Sequence, residues 1–217
     1  MRTPLWLLPF ACLLAVAGCS SAPSPESAPP PAAPAAAAPS TVVSGAPDTT
    51  GSIPGSANAL YTFRFKQTDP ASDRFTFRDR DVSFYFRPAP SALGFKLENL
   101  QGRPVWINWD RCTFVDVNGR TSKVAHATSR WRDRYNSQAN TSIAGQTTYS
   151  DYLFPSEYLL DPGAAGADAQ PHLPIVPEDS SAPTYSGRTF GVDLELMIED
   201  RPRTYSFRFT VASVIPR

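Results

Sequence analysis

Several residue types that carry chemistry are scarce in this 217-residue chain. There are two histidines, His126 and His172, too far apart for a His-x-x-x-His pair. A zinc site of three histidines is therefore excluded, and no metal or cofactor is expected. The three lysines, Lys66, Lys96 and Lys123, each lack a serine three residues earlier, so there is no Ser-x-x-Lys acylating motif. No Gly-x-Ser-x-Gly elbow and no glycine-rich phosphate loop occurs. Charge is nearly missing from the first 57 residues, which hold only Arg2, Glu26 and Asp48 of the 20 Lys+Arg and 20 Asp+Glu. The remainder is balanced to a net of +1 and offers no electrostatic footprint for nucleic acid.

Long apolar runs are lacking too. The longest, Leu5 to Ala17, is broken only by Pro9 and follows the positive start Met1-Arg2-Thr3. It falls short of the roughly 20 apolar residues that span a bilayer, and it suits the apolar region of an export signal. The run ends in Val16-Ala17-Gly18-Cys19, which resembles the lipobox of bacterial lipoproteins. The resemblance implies a signal peptide over 1–18, with Cys19 carrying a diacylglycerol thioether, cleaved to become the mature N-terminus and N-acylated. One acyl chain binds membranes only reversibly, while three anchor the chain for good. Ser20, by the sorting pattern of Gram-negative lipoproteins, implies the periplasmic face of the outer membrane. Beyond Cys19, residues 20 to 57 are mostly Ala, Pro and Ser with scattered Gly and Thr. A segment of that kind cannot bury enough to fold, and predicts a disordered spacer of about 3.1 Å per residue where extended.

From residue 58 to 217 the period is 2. Tyr61 to Lys66, Phe75 to Phe77, Val82 to Arg87, Phe95 to Glu98 and Val105 to Asp110 alternate, and Thr147 to Phe154 is a further candidate strand. Thr113 to Val117 and Arg120 to Ala125 flank Asn118-Gly119, the dipeptide of type I′ hairpins. Val192, Leu194, Leu196 and Ile198 then share one face, as do Tyr205, Phe207, Phe209 and Val211 after a turn at Asp200-Arg201-Pro202. This predicts an all-β domain of about nine to ten strands. An immunoglobulin-like β-sandwich is the first expectation, with Trp109 buried on a central strand, and a lipocalin-like barrel is the alternative. Asp161 to Gly187 predicts a long excursion between strands.

With Cys12 in the signal and Cys19 lipidated, Cys112 is single and expected to be buried and inert. Two segments are candidate binding sites. In Arg130-Trp131-Arg132-Asp133-Arg134-Tyr135 three arginines interleave with two aromatics. Arg and aromatics are enriched at interface hot spots, so the segment would grip lipopolysaccharide phosphate, peptidoglycan carboxylates or another anionic glycan, or an envelope protein. The plain alternative is a loop whose rings pack while the arginines are solvated. Trp106, beside Asn108 and Asp110, would hold a sugar by stacking if it were exposed. No catalytic residue is singled out; catalysis would require a buried polar cluster around His126 that the sequence does not advertise.

The run Ile107 to Asp110, with Asp116, Asn118-Gly119, His126 and Gly145, resembles immunoglobulin-like domains of bacterial lipoproteins that carry no assigned activity. The resemblance brings no activity with it; lipid anchor, spacer and all-β domain together predict a non-catalytic envelope module, a scaffold or accessory subunit, with glycan or lipid binding as the alternative.

Overall fold

Alternation of apolar and polar side chains makes nearly every long element here a strand with one face in the core. The computed structural model describes residues 48–52, 60–166 and 168–216. The signal segment, Cys19 and all of the linker except 48–52 lie outside the described residues. Thirteen strands are formed: β1 (Asp48–Ser52), β2 (Leu60–Asp69), β3 (Ala71–Ser72), β4 (Thr76–Arg78), β5 (Val82–Pro88), β6 (Leu93–Asn99), β7 (Val105–Ile107), β8 (Thr113–Val115), β9 (Thr121–Ala125), β10 (Thr141–Ile143), β11 (Thr148–Pro155), β12 (Thr189–Ile198) and β13 (Arg201–Pro216). Among the described residues there is no α-helix, only five short 3-10 turns. Three strands exceed the ten that periodicity outlines. They are β1, β3 and β10, of five, two and three residues, and alternation is hard to see in such short pieces. β1 lies ahead of residue 58 and pairs with β2 from Asp48↔Arg64 to Ser52↔Leu60.

All pairings are antiparallel, in the order β1-β2-β13-β12-β8-β9-β11-β6-β5-β4. β3 extends β2, while β7 joins the end of β12 and carries β10. The result is a nearly closed, barrel-like sheet. Only two residue pairs, Phe154↔Ala125 and Pro155↔Val124, join β11 to β9. Across the interior β5 faces β13, with Phe86 and Phe207 ring centroids 4.4 Å apart and Phe84 and Phe207 4.9 Å apart. Edge-on and tilted rings at this spacing add to the area they bury.

The turns depart from expectation in instructive ways. Asn118 does not take positive φ; Gly119 alone does, at 79°. The Asp116 carbonyl accepts Gly119 N–H (2.9 Å), and its carboxylate accepts Asn118 N–H (2.8 Å) and Arg120 N–H (2.9 Å). A buried aspartate thus holds a three-residue turn with a glycine bulge, where the dipeptide alone suggests a two-residue turn. The last hairpin turns at Glu199-Asp200, with φ of 50° and 59°, because Ile198 pairs with Arg201. Pro202 therefore lies within β13, opposite Met197, and not in the turn. Trp109 is fully buried as expected, yet β7 has already ended and Trp109 opens a 3-10 turn, Trp109–Arg111.

The Asp161–Gly187 excursion is anchored to the sheet. Ile175, Val176 and Ala182 are fully buried, and Val176 N–H donates to the Pro90 carbonyl (3.0 Å). One close approach requires glycine. A Cβ on Gly191 would sit 2.2 Å from the Phe207 carbonyl oxygen and 2.6 Å from Arg208 Cδ. Backbone cannot step aside as a side chain can, so Gly191→Ala should lower stability by about 1–3 kcal/mol. The measurement is the denaturation midpoint at unchanged slope; a wild-type midpoint would show that β12 relaxes around the added methyl.

Candidate functional site

A carboxylate at a core-facing strand position organises the candidate site. On β11, Tyr149, Asp151 and Leu153 face inward, and Asp151 pairs in register with the buried Phe95. Its side chain is 2% exposed. It lies 3.1 Å from His126 Nδ1, accepts Ala127 N–H (3.0 Å) and Tyr152 N–H (2.7 Å), and accepts the Tyr149 hydroxyl in a short hydrogen bond. Burial pushes this carboxyl up, but the donors from His126, Tyr149, Tyr152 and Ala127 outweigh it and hold it below the usual range. An ionised carboxylate only accepts, so His126 Nδ1 carries the proton of that bond.

His126 itself is buried, with Trp109 stacked on it at 4.0 Å and 13° between planes. Trp109 Nε1 donates to Thr141 Oγ1 at 2.8 Å. A buried polar cluster thus does surround His126. Nε2 lies 3.4 Å from Thr128 Oγ1, so hydroxyl, imidazole and carboxylate follow one another in the order of a catalytic triad. The spacing is long for an O–H···N bond, and all four donors around Asp151 come from one bend of the chain and its neighbouring strand.

The rest of the network also serves that bend. His126 N–H donates to Ser129 Oγ (2.9 Å), Ser129 Oγ to Gln138 Oε1 (2.9 Å) and Gln138 Nε2 to the Val124 carbonyl (2.9 Å). Gln170 Nε2, from the long excursion, donates to the His126 and Ser129 carbonyls at 2.7 and 2.6 Å. Fixed by these bonds, residues 130 to 135 stand out as a surface turn around a 3-10 turn, Trp131–Asp133.

The turn brings five of the six candidate residues together. Trp131 is half-buried against the core. The Arg134 guanidinium lies 3.3 Å over its ring and 4.5 Å from the Tyr135 ring. Tyr135 is 68% exposed and Arg132 is exposed. Arg130 Nη1 donates to the Ala127 and Ser129 carbonyls, and Arg134 Nη1 donates to the Trp131 carbonyl. The expected loop with both rings packed and all arginines solvated is therefore half right: Trp131 packs and Tyr135 does not. Beside the turn opens a cleft of about 270 Å³, with His126, Thr128, Ser129, Arg130, Arg134 and Gln138 among its walls.

Trp106 does not join this group. It is half-buried on β7 between Ser142 and Met197 of the adjoining strands. Its polar neighbours are committed within the protein: Asn108 Nδ2 donates to Glu195 (2.8 Å), and Asp110 accepts Gln138 N–H (3.1 Å) and the Ser137 hydroxyl. Trp106 thus keeps a partly exposed ring, while the Asn108 and Asp110 groups beside it are bonded within the protein. Cys112 is buried, its thiol 3.2 Å from the Asn108 carbonyl and pushed up to about 12 by burial. Among the described residues no group of three His, Cys, Asp or Glu is placed to hold a metal ion.

Compared with known proteins, the chain matches no protein-family model, no curated protein and no solved structure. Function must therefore be argued from the site alone.

Proposed function

We propose that this chain is a lipid-anchored envelope module that binds a partner without transforming it. The lipobox-like Val16 to Cys19 supports attachment at Cys19 to the periplasmic face of the outer membrane. The Ala/Pro spacer supports display at a distance from the membrane. For the domain we favour an immunoglobulin-like sandwich over a lipocalin-like barrel. The facing of β5 and β13 through packed phenylalanines supports a filled interior, and a lipocalin needs a ligand cavity there.

The observation that carries the binding reading is the Trp131–Arg134–Tyr135 stack on a turn fixed by the His126–Asp151 network. A cation held between two rings, one of them exposed, is ordered before a partner arrives, so little conformational entropy is lost on docking. A scaffold or accessory role in a cell-envelope assembly follows from anchor, spacer and such a surface together. The polar cleft next to the turn favours one other reading, a glycan- or lipid-binding module whose ligand presents anionic groups to Arg130 and Arg134.

The test is recovery of cross-linked envelope partners with the full-length lipidated chain. Arg132→Ala with Tyr135→Ala removes exposed atoms that lie outside the core, Tyr135 touching only the Arg134 guanidinium of the same turn. The pair is expected to cut recovery, or affinity for an anionic glycan, about tenfold or more at unchanged Tm. Unchanged recovery and unchanged glycan affinity together would end the assignment of this turn. Ester hydrolysis by the purified chain, abolished by Thr128→Ala, would overturn the non-catalytic reading.

A further inference from the structure

On the far face of the β5-β6-β11 ribbon, the alternation places Arg87, Gly94 and Tyr152 side by side. Arg87 pairs with Gly94, and Gly94 with Tyr152. The middle position has no side chain, and the row sinks there into a hollow of about 420 Å³. Ala89 and Ala92, from the turn between β5 and β6, and the ring of His172 complete its walls. The walls are mostly apolar, and no carboxylate lies among them.

Two features make this more than a surface dent. Arg87 Nε is buried and has no hydrogen-bond partner, and among the described residues no acid pairs with the guanidinium. A guanidinium that lines a mostly apolar hollow with no acid beside it leaves its charge to be met by a group that comes from outside. The second feature is that the aromatic wall is locked. Tyr152 OH donates to Gln170 Oε1 (2.6 Å), His172 Nδ1 donates to the Gln170 carbonyl (3.1 Å), and His172 stacks on Phe154 at 4.0 Å. The hollow thus stands open without any rearrangement.

We propose that this hollow binds a carboxylate carried on a small apolar body, with Arg87 as the anion's partner. One guanidinium matches one negative charge and takes a carboxylate as a planar fork. The alanine methyls and ring faces take the alkyl part. A peptide C-terminus ending in alanine and a short free alkyl acid both have this chemistry. Gln170 joins Tyr152 of the hollow to the bend that carries the Arg130–Tyr135 turn, but the walls of the hollow include no residue of that turn, and the proposal does not rest on the turn binding a partner.

The test is calorimetric titration of the full-length chain in a neutral detergent with acetyl-alanyl-alanine, its C-terminal amide, and butyrate. The acid form of at least one ligand is expected to bind, and the amide at least tenfold more weakly than the peptide acid if the peptide is the source. Tighter binding of butyrate than of the peptide acid would instead assign a free alkyl acid. Arg87→Gln should abolish binding. Gly94→Val, which fills the floor of the hollow, should do the same, with some loss of Tm because its Cβ would lie 3.2 Å from the Arg87 carbonyl oxygen. Binding of acid and amide alike, binding that survives either substitution, or no binding of any acid at millimolar concentration would overturn the proposal.

Discussion

Asp151→Ala is expected to cost about 3–5 kcal/mol of unfolding free energy, far more than any surface charge of this protein. The carboxylate, 2% exposed, is met by His126 Nδ1, the Tyr149 hydroxyl and the N–H groups of Ala127 and Tyr152. Truncation leaves those donors buried with nothing to accept them, each costing about 1–3 kcal/mol if it finds no substitute. Asp151→Asn keeps the volume and one acceptor, and should cost less, about 1–3 kcal/mol. The pH dependence has a definite sign. Because the folded carboxyl titrates below the unfolded value near 3.9, its contribution is complete above that value and drains away as pH falls through the lower folded one. Denaturation curves of Asp151→Ala should therefore lose stability less steeply below about pH 4 than those of the wild type. A loss under about 1 kcal/mol at neutral pH would mean that the bend is held by other bonds.

The same substitution tests the link from fold to function. Asp151 holds His126 and Ala127, Ser129 and Gln138 hold the ends of the bend, and Gln170 reaches in from the long excursion. Residues 130 to 135 have no strand of their own to hold them; this bonded base does it. Loss of Asp151 should loosen Trp131 and Tyr135 while the sheet persists, and so weaken partner binding even where the protein is still folded.

Much of this was legible along the chain, and the exceptions have physical reasons. Alternation located the long strands because each has one face in the core, as in Val82, Phe84 and Phe86 of β5. It could not show β3 or β10, which are too short for a period. The Asn118-Gly119 turn was placed correctly but typed wrongly, since Asp116 two residues earlier captures the turn's N–H groups. The arginine-aromatic segment was visible as composition. Its support was not, because His126 and Asp151 are 25 residues apart and meet only through the joining of β9 to β11. One signal was present: Asp151 falls in phase with Tyr149 and Leu153, a charge where a core side chain belongs. Trp106 is partly exposed as an outward position of a strand should be, but alternation could not show that Asn108 and Asp110 beside it bond to Glu195 and to Ser137 and Gln138.

Phe207→Ala is expected to have a comparable effect, about 3–5 kcal/mol, for a different reason. Phe207 is 1% exposed at the middle of β13, and its ring meets those of Phe86, Phe84 and Phe77 at 4.4, 4.9 and 5.6 Å. Those three come from β4 and β5, the far end of the strand order, so this one side chain carries contact across the closure of the sheet. Phe207→Leu keeps most of the volume and should cost less than about 1.5 kcal/mol beyond the lost ring contacts. A polar clamp lies along the same seam: Tyr205 OH donates to Asp79 (2.9 Å), and the buried Asp81 accepts from Arg80, Arg203 and Gln101. That clamp limits how far the rings can collapse into the space Phe207 leaves, which places the alanine cost toward the upper end of its range. A double-mutant cycle between Phe84→Leu and Phe207→Leu, read by denaturation, should give a coupling of about 0.5–1.5 kcal/mol. Additive losses, with Phe207→Ala under about 2 kcal/mol, would show that the pairing of β9 with β11 alone holds the two parts of the sheet together and the aromatic layer only fills the space between them.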